Sequence, residues 1–475
     1  MIRKKIRALV AQTLVFACGG LAHAQSAIVP PQPSPAPAPA PAAPAPDTGS
    51  APKLNAGNIV AGPGAASPLP VARLARLSSL GTPPDWKRLD AFAKTMTRVE
   101  VETALRDLYT DPSGLPVPWH LEQDALVIQT GDPARPEVRI PFATRAEPPA
   151  YSTRTWHRAT ELPALKGKPP LTDIHIAIDP GHIGGNFAIM EERYLSFQPS
   201  ESIQEGVLTL ITAQALAERL RALGAYVTLV RDKLEPVTKV RPPELRDAAL
   251  AVLKEAGFPT PKESYDGLTG DEKIISVQWQ SEKLFYRVSE IHARGTKVNN
   301  EIKPDLVVCL HYNAEAWGAA TAPQFSPVNH YHVLVNGCYA PVEVEQADVR
   351  FEMFHRLFSR IHEEELPLAA SVSKGLAAAT GLTPYVYTTP NARQVTADKA
   401  VYARNLLANR IYNCPVVYLE PYVMNHEETY RRLLAGHFIG RTLVAGRLQT
   451  SAIEDYVRGV VNGLVSYYQN RRNPL

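Results

Sequence analysis

Two histidines in this sequence each follow an apolar, β-branched run at the point where that run must stop. His182 ends the segment IAIDPGH, in which Pro180 lacks an N–H and Gly181 takes a turn. His311 follows the run LVVCL and begins the segment HYNA. In an open α/β sheet, ligands bind at the edge where the carboxyl ends of the parallel strands meet. Both imidazoles are therefore expected at that edge.

Two glutamates are expected at the same edge. Glu205 lies near the start of an amphipathic helix predicted over 203–223, and Glu420 ends the strand PVVYL. Two neutral imidazoles and one carboxylate form a catalytic zinc set that leaves a fourth position for water or substrate. A second carboxylate, not bound to the metal, can pass the proton of that water to a leaving amine. The four residues together predict a zinc-dependent amide hydrolase.

Each of these residues also has a purely structural interpretation. A histidine at a strand end is more often a structural hydrogen-bonding group, and Glu205 is an ordinary partner for a helix N-terminus. Glu420 can equally be a surface acid. None of the four belongs to a compact motif such as H-E-x-x-H. The spacing alone leaves the catalytic and structural interpretations open.

The elements that must position these residues alternate between strands and helices from residue 173 onward. This rhythm predicts an α/β fold with a largely parallel sheet, closed by helices over 427–448 and 453–468. A small α+β module over 84–165, with no assignable chemistry, precedes it. Long insertions near 234–275 and 314–397 interrupt the rhythm, and such insertions usually cover or line a site. The second is expected to hold one long helix over about 344–364.

The first 24 residues predict an exported protein. Four basic residues within the first seven precede an apolar stretch over 8–22, and Ala22-His23-Ala24 fits a cleavage site. A retained membrane anchor is the alternative interpretation. Residues 25–70 are rich in Pro and Ala and predict an extended linker. The expected location is the periplasm or the exterior of the cell.

Composition limits the partners of the exported chain. Removing residues 1–24, which carry those four basic residues and no acidic one, takes the formal net charge from +3 to −1. A nucleic-acid partner, which would need a basic stripe, is therefore not expected. No second segment is apolar enough to predict a transmembrane segment after signal cleavage. The three remaining cysteines have no regular spacing and predict no disulfide framework.

Four segments, taken in order, resemble the zinc-dependent N-acetylmuramoyl-L-alanine amidases of the amidase-3 type. They are IAIDPGHIGG, EGVLTLITAQALAERLRALGAYVTLVRD, DLVVCLHYNAE and NCPVVYLEPYVMN. The resemblance covers about 174–468, and it implies a catalytic domain over 170–475 with a twisted, mostly parallel six-stranded sheet flanked by helices. It also implies that His182, Glu205 and His311 bind Zn²⁺ and that Glu420 is the catalytic acid/base. The implied substrate is peptidoglycan, cut at the amide between N-acetylmuramic acid and L-alanine.

The sequence departs from the family pattern in three places. The interval between His182 and Glu205 is several residues longer than usual, and it contains Glu191 and Glu192 as alternative metal carboxylates. We prefer Glu205 because the helix after it keeps the family's register of apolar positions. Tyr422-Val423 stands where the family usually has Gly-Phe. The third departure is the unusual length of both insertions.

The resemblance also bears on two further residues and on the second insertion. Arg294 resembles an arginine that precedes the His-bearing strand, which implies contact with substrate carboxylates; the alternative is an arginine that ties a helix end to the sheet. Asn313 is expected to orient His311 or the water. In some envelope amidases an inserted helix blocks the zinc until an activator protein moves it. The 314–397 segment is placed either to do this or to form a wall of the substrate groove.

Two other functions remain open from the sequence. One is a different secreted zinc amide hydrolase, such as a carboxypeptidase. The other is an inactive cell-wall-binding protein, against which the presence of all four metal-site residue types argues.

Overall fold

The computed structural model describes residues 71–145, 154–198, 201–319 and 322–472. The predicted signal peptide over 1–24 and the predicted linker over 25–70 lie outside the described residues.

A mixed sheet of eight strands forms the centre of the described chain. Six strands have three or more residues, which is the number that the resemblance implied, and two have only two residues. The strands are β4 His175–Pro180, β7 Tyr226–Leu229, β8 Leu306–Leu310, β11 His330–Val335, β12 Thr383–Pro384, β13 Arg393–Gln394, β14 Val401–Ala403 and β15 Val416–Pro421. Their order is β13-β14-β11-β15-β8-β4-β7, and β12 pairs with β11.

The sheet confirms the predicted α/β class. Five of its seven described pairings are parallel; the exceptions are β11 with β15 and β13 with β14. The central strands β8, β15 and β11 are buried along their whole length. Burial on both faces explains why their sequences read as near-continuous apolar runs.

Nine α-helices of seven or more residues are present in the described chain. They are α1 Arg98–Ala104, α2 Glu205–Ala222, α3 Arg246–Glu255, α4 Val277–Leu284, α5 Glu290–Thr296, α6 Ala347–Phe358, α7 Ile361–Thr380, α8 Glu427–Leu434 and α9 Ala452–Arg472. Helices α2, α7 and α9 cover one face of the main sheet. Among the described residues, no helix has the length and apolar character needed to cross a bilayer.

The predicted helix over 203–223 starts two residues later than expected. A hairpin of β5, Tyr194–Gln198, and β6, Glu201–Gln204, runs directly into α2. This hairpin accounts for the long interval between His182 and Glu205.

The predicted helix over 427–448 is wrong. Helix α8 ends at Leu434, and Gly436 follows with a left-handed φ of 73°. A second hairpin then forms from β16, Thr442–Val444, and β17, Arg447–Gln449. The chain turns because glycine adopts positive φ at no steric cost, which ends the helix before its apolar pattern does.

The long helix expected over about 344–364 is two helices. Helix α6 ends at Phe358 and α7 begins at Ile361, because Arg360 between them adopts a left-handed φ of 54°. The rest of the 314–397 range supplies β11, β12 and β13 to the main sheet. This range is therefore largely part of the α/β core.

The 84–165 range contains a three-stranded antiparallel sheet beside α1. The strands are β1 Trp119–Leu121, β2 Ala125–Gln129 and β3 Glu137–Pro141. This module packs on α6, where Trp86 meets Phe351 edge-on at 5.5 Å and Trp119 meets Phe354 edge-on at 5.1 Å. The second insertion thus provides the helix on which the N-terminal module docks.

Helices α7 and α9 approach each other closely along a line of glycines. A Cβ placed on Gly463 would lie 2.4 Å from the Cα of Val372, and one on Gly375 would lie 2.2 Å from the carbonyl oxygen of Gly459. Only hydrogen fits at these positions without moving a backbone.

We therefore expect Gly463→Ala to destabilise the protein, although alanine is the better helix former by about 1 kcal/mol. Overpacking of this kind costs about 1–3 kcal/mol. Urea unfolding would measure the change. The exposed neighbour Asn462 on the same helix gives the control Asn462→Ala, which should not destabilise. An unchanged midpoint for Gly463→Ala would contradict the close approach.

Candidate metal centre and acid/base residue

The ends of β4 and β8 bring His182 and His311 to one edge of the main sheet. The two strands are parallel neighbours with Pro180 opposite Leu310, so both chains leave the sheet together. The imidazole rings lie 5.2 Å apart between centroids. The His311 ring lies against Gly181, where a Cβ would come within 2.2 Å of it. A glycine is thus required at that position.

The His182 backbone is held in an unusual conformation. Its φ of 57° is left-handed, a region that costs a non-glycine residue of order 1–3 kcal/mol. The guanidinium of Arg294 donates to the carbonyl oxygen of His182 at 2.8 Å. This contact holds the turn that carries the imidazole.

Glu205 is the first residue of α2, and its carboxylate lies between the two histidines. Oε2 is 3.2 Å from Nε2 of His182, and Oε1 is 3.0 Å from Nδ1 of His311. Arg193 Nε lies 3.1 Å from Oε2. Burial alone would raise the pKa of the Glu205 carboxyl, but the two imidazoles outweigh it and hold that pKa well below its usual range. The group is therefore a carboxylate near neutral pH.

These three residues satisfy the requirements of a metal site. One ligand atom from each lies within 4.8 Å of the other two. Nε2 of His182 is buried and has no hydrogen-bond partner, since its contact with Glu205 is not aligned for one. An orphaned imidazole nitrogen beside a carboxylate and a second imidazole is the donor set that a divalent metal prefers.

Glu191 and Glu192, the alternative metal carboxylates, occupy different places. The buried Glu191 carboxylate accepts N–H bonds from Ile183 and Gly184, each at 2.9 Å, and lies 3.5 Å from Nδ1 of His182. It supports the turn from behind the imidazole. Of the three glutamates, Glu205 is the one that contacts both histidines.

Glu192 points away into the neighbouring α4. It pairs with Lys283 at 2.7 Å and accepts from the Trp279 indole at 3.3 Å. Burial opposes ionisation there, but Lys283 dominates and lowers the pKa of Glu192 to about 2. Glu192 therefore fastens α4, the helix just after the first insertion, to the loop between His182 and Glu205.

Glu420 ends β15, the strand next to β8. The Tyr418 ring stacks on the His311 ring at 4.4 Å, and Glu420, two residues further on, shares that face of the sheet. The carboxylate is buried, and its Oε1 has no hydrogen-bond partner. Its Oε2 lies 3.3 Å from Nε2 of His332 on β11.

His332 was not predicted from the sequence to belong to the site. A signal was present in β11, HYHVLV, where alternation places His330 and His332 on the face of the buried Leu334. The pairing of β11 with β15 then sets His332 opposite Glu420. A long loop separates β8 from β11, so no local pattern indicated that both strands contribute to one site.

Arg294 is fully engaged inside the protein. Its Nε donates to Glu290 at 2.7 Å, and Nη1 donates to Asp179 at 2.8 Å and to the Pro180 carbonyl at 2.7 Å. Burial would lower the pKa of Arg294, but the two carboxylates outweigh it and raise that pKa. These contacts favour the structural role of Arg294 over the substrate-binding role that was also expected.

Asn313 joins two loops at the site edge. Its N–H donates to the Tyr422 carbonyl at 2.9 Å, and its own carbonyl accepts from Met424 at 2.7 Å. Its side-chain oxygen accepts from the N–H of Ala314. Asn313 thus fastens the loop after β8 to the loop after β15.

The β5–β6 hairpin is fixed beside the site by an aromatic cluster. Phe197 stacks on Phe325 at 3.8 Å and meets Tyr430 of α8 edge-on at 4.9 Å. The hairpin, the segment after His311 and the helix after Glu420 are thereby joined along one side of the site edge.

No family model matches this chain, and a search of curated proteins found no match. The chain is similar to solved structures of N-acetylmuramyl-L-alanine amidases. Ami1 from Mycobacterium abscessus is 16% identical over 62% of this chain and 99% of its own, with a TM-score of 0.33. The CwlD amidase from Clostridioides difficile, solved with the GerS lipoprotein, is 13% identical over 62% and 98%, with a TM-score of 0.34. Structural similarity at these TM-scores carries no argument about function. The function must therefore be argued from the site.

The two interpretations of Arg294 predict different effects of its replacement on the free energy of unfolding. Replacing Arg294 by Met leaves Asp179 and Glu290 as buried, unpaired carboxylates, and losing one partner of such a pair costs about 3–5 kcal/mol. Urea unfolding should therefore show a large loss for Arg294→Met. The control is Arg246→Met, which breaks an exposed pair with Glu263 and should barely move the midpoint. Wild-type stability for Arg294→Met would contradict the structural role.

Proposed function

We propose that this protein is a zinc-dependent N-acetylmuramoyl-L-alanine amidase that hydrolyses the amide between N-acetylmuramic acid and L-alanine in peptidoglycan. The observation that carries the proposal is the convergence of His182, Glu205 and His311 around one point, with the buried carboxylate of Glu420 on the adjacent strand. The resemblance of the segments around these four residues to the amidase-3 type family supports the choice of substrate.

The proposed ligands of the zinc are the two imidazoles and the Glu205 carboxylate. Bound there, zinc supplies a Lewis acid that activates a water and polarises the scissile carbonyl. Arg193 and the Tyr312 N–H, 3.2 Å from Oε1, hold the Glu205 carboxylate in place. Glu191 supports the His182 ring from the Nδ1 side, as carboxylates behind metal-bound histidines commonly do.

Glu420 is the proposed acid/base. Its Oε1 has no partner in the protein and is the oxygen available to take the proton of the attacking water. The protonated carboxyl then gives that proton to the amine of L-alanine as the amide bond breaks. A buried carboxylate suits both steps, because its low-dielectric surroundings strengthen its interaction with the reacting groups.

Peptidoglycan as substrate agrees with the expected export of the chain to the periplasm or beyond. The expected activator protein would act on a helix that covers the metal. Helix α6 packs on the N-terminal module and on α7, and α7 packs on α9 and one face of the sheet. These contacts support the groove-forming alternative for the 314–397 segment: the part near Tyr385 lies beside the strand end that carries His330.

The three glutamates are expected to differ in how much each contributes to zinc affinity. Glu205→Gln should weaken zinc binding beyond the roughly 10–100-fold loss that removal of an orienting partner causes. Glu191→Gln should fall within that range, because it acts through His182. Glu192→Gln should retain wild-type affinity. Competition with a chromogenic chelator would give the dissociation constants, and equal affinities for Glu205→Gln and wild type would exclude the proposed ligand set.

Glu420→Gln tests the acid/base role. The amide keeps the shape of the side chain but cannot take a proton, so hydrolysis should fall by about 10²–10⁴-fold with zinc content unchanged. The assay is release of peptides with a new L-alanine amino terminus from purified sacculi by the whole zinc-loaded protein. Wild-type rates for Glu420→Gln would refute the mechanism.

The same assay distinguishes the alternatives. A carboxypeptidase would free a C-terminal amino acid from sacculi or soluble stem peptides and leave the muramyl amide intact. An inactive wall-binding protein would sediment with sacculi and release nothing. Either outcome for the wild type would overturn the amidase proposal.

A further inference from the structure

We infer that His332 is a positioning residue for Glu420, holding one carboxylate oxygen so that the other is presented for proton transfer. The inference rests on the proposed function and adds a residue from β11, a strand that contributes none of the four proposed site residues. It follows from strand register, from a short contact between two buried side chains, and from the distribution of their unpartnered atoms.

Register places His332 in a row with the site. Tyr418 on β15 is opposite Cys309 on β8, and the next same-face positions of those strands are Glu420 and His311. On its other side, β15 pairs with β11 so that Glu420 faces His332 directly. Adjacent strands lie about 4.8 Å apart. Glu420 is therefore flanked by an imidazole on each side, one belonging to the proposed metal site and one not.

The contact between Glu420 and His332 is close and excluded from water. Oε2 of Glu420 lies 3.3 Å from Nε2 of His332, and the two side chains are 2% and 1% exposed. Nε2 is the ring nitrogen that faces Oε2, while Nδ1 of His332 and Oε1 of Glu420 are buried without partners. A carboxylate with one oxygen held against an imidazole and the other free has a defined reacting oxygen.

Two neighbouring tyrosines fix the orientation of the His332 ring. The Tyr387 ring lies edge-on at 5.4 Å, and its hydroxyl is 3.3 Å from Nε2. The Tyr385 ring lies at 5.3 Å and the His330 ring at 6.3 Å. Two charged groups stand behind these neighbours: Arg404, whose guanidinium lies over the Tyr387 ring, and Glu315, which pairs with His330.

Loss of the imidazole should free the carboxylate. Oε2 of Glu420 loses the ring nitrogen that faces it, so the carboxylate can rotate and its reacting oxygen is no longer fixed. Substrate binding should change little, because His332 faces Glu420 rather than the metal-site residues.

The test is steady-state kinetics of the whole zinc-loaded protein on a soluble muramyl-peptide. For His332→Ala we expect kcat to fall by about tenfold or more, an effect typical of orienting partners. We expect KM and zinc content to stay near wild type, so that the loss falls on kcat alone. His332→Gln, which restores an N–H donor without an imidazole, should recover much of kcat.

His330→Ala is the matched control. It removes an imidazole from the same strand and face, two residues away, whose partner is Glu315 rather than Glu420. Its kcat should remain within about threefold of wild type, since it leaves the imidazole that faces Glu420 intact.

The outcomes separate this inference from the proposed function. An active wild type together with an unchanged kcat in His332→Ala overturns the inference alone. Equal losses in His332→Ala and His330→Ala, with no recovery in His332→Gln, also overturn it, because they indicate a general structural effect. A zinc-loaded wild type that cleaves no muramyl amide overturns the proposed function and this inference with it.

Discussion

The candidate site depends on one buried cation. Arg294 occupies the space behind the turn after β4, pairs with Asp179 and Glu290, and holds the carbonyl oxygen of His182. A left-handed residue at the end of a strand persists only where its surroundings over-determine it. The desolvated guanidinium does this with fixed geometry, because its planar fork of donors meets two carboxylates and two carbonyls at once.

Once that turn is fixed, the sheet arranges the remaining groups. Parallel pairing of β4, β8 and β15 brings three chain exits to one edge, and the period-2 alternation of side chains decides which face each group takes. A one-residue slip of β15 would move Glu420 to the opposite face. The buried runs of β8 and β15 make such a slip costly, so the packing of the core also keeps the proposed acid/base residue, Glu420, in register with His311.

Much of this arrangement could be predicted from the sequence, because the residues at the ends of strands form recognisable patterns. Proline, glycine and a polar residue after an apolar run located His182, His311 and Glu420, and α2 kept its apolar period after Glu205. Contacts between segments that are far apart along the sequence produce no such local pattern. The break at Arg360 depends on a left-handed residue, and the Glu420–His332 contact depends on strand pairing across a long loop; local patterns encode neither.

The N-terminal module and the second insertion form an interface in which each buries residues of the other. Helix α6 offers Phe351 and Phe354 to Trp86 and Trp119, and Arg350 donates to the carbonyl oxygens of Leu74 and Thr130. Nη2 of this buried arginine is satisfied only while the segments that carry these two carbonyls are in place. Without the module, α6 would expose this aromatic surface and Nη2 would lose the Thr130 carbonyl, while Nη1 would keep the carbonyls of Val344 and Glu345. The second insertion therefore provides the docking surface for the module. The residues beyond α7 return the chain to the edge where Glu420 lies.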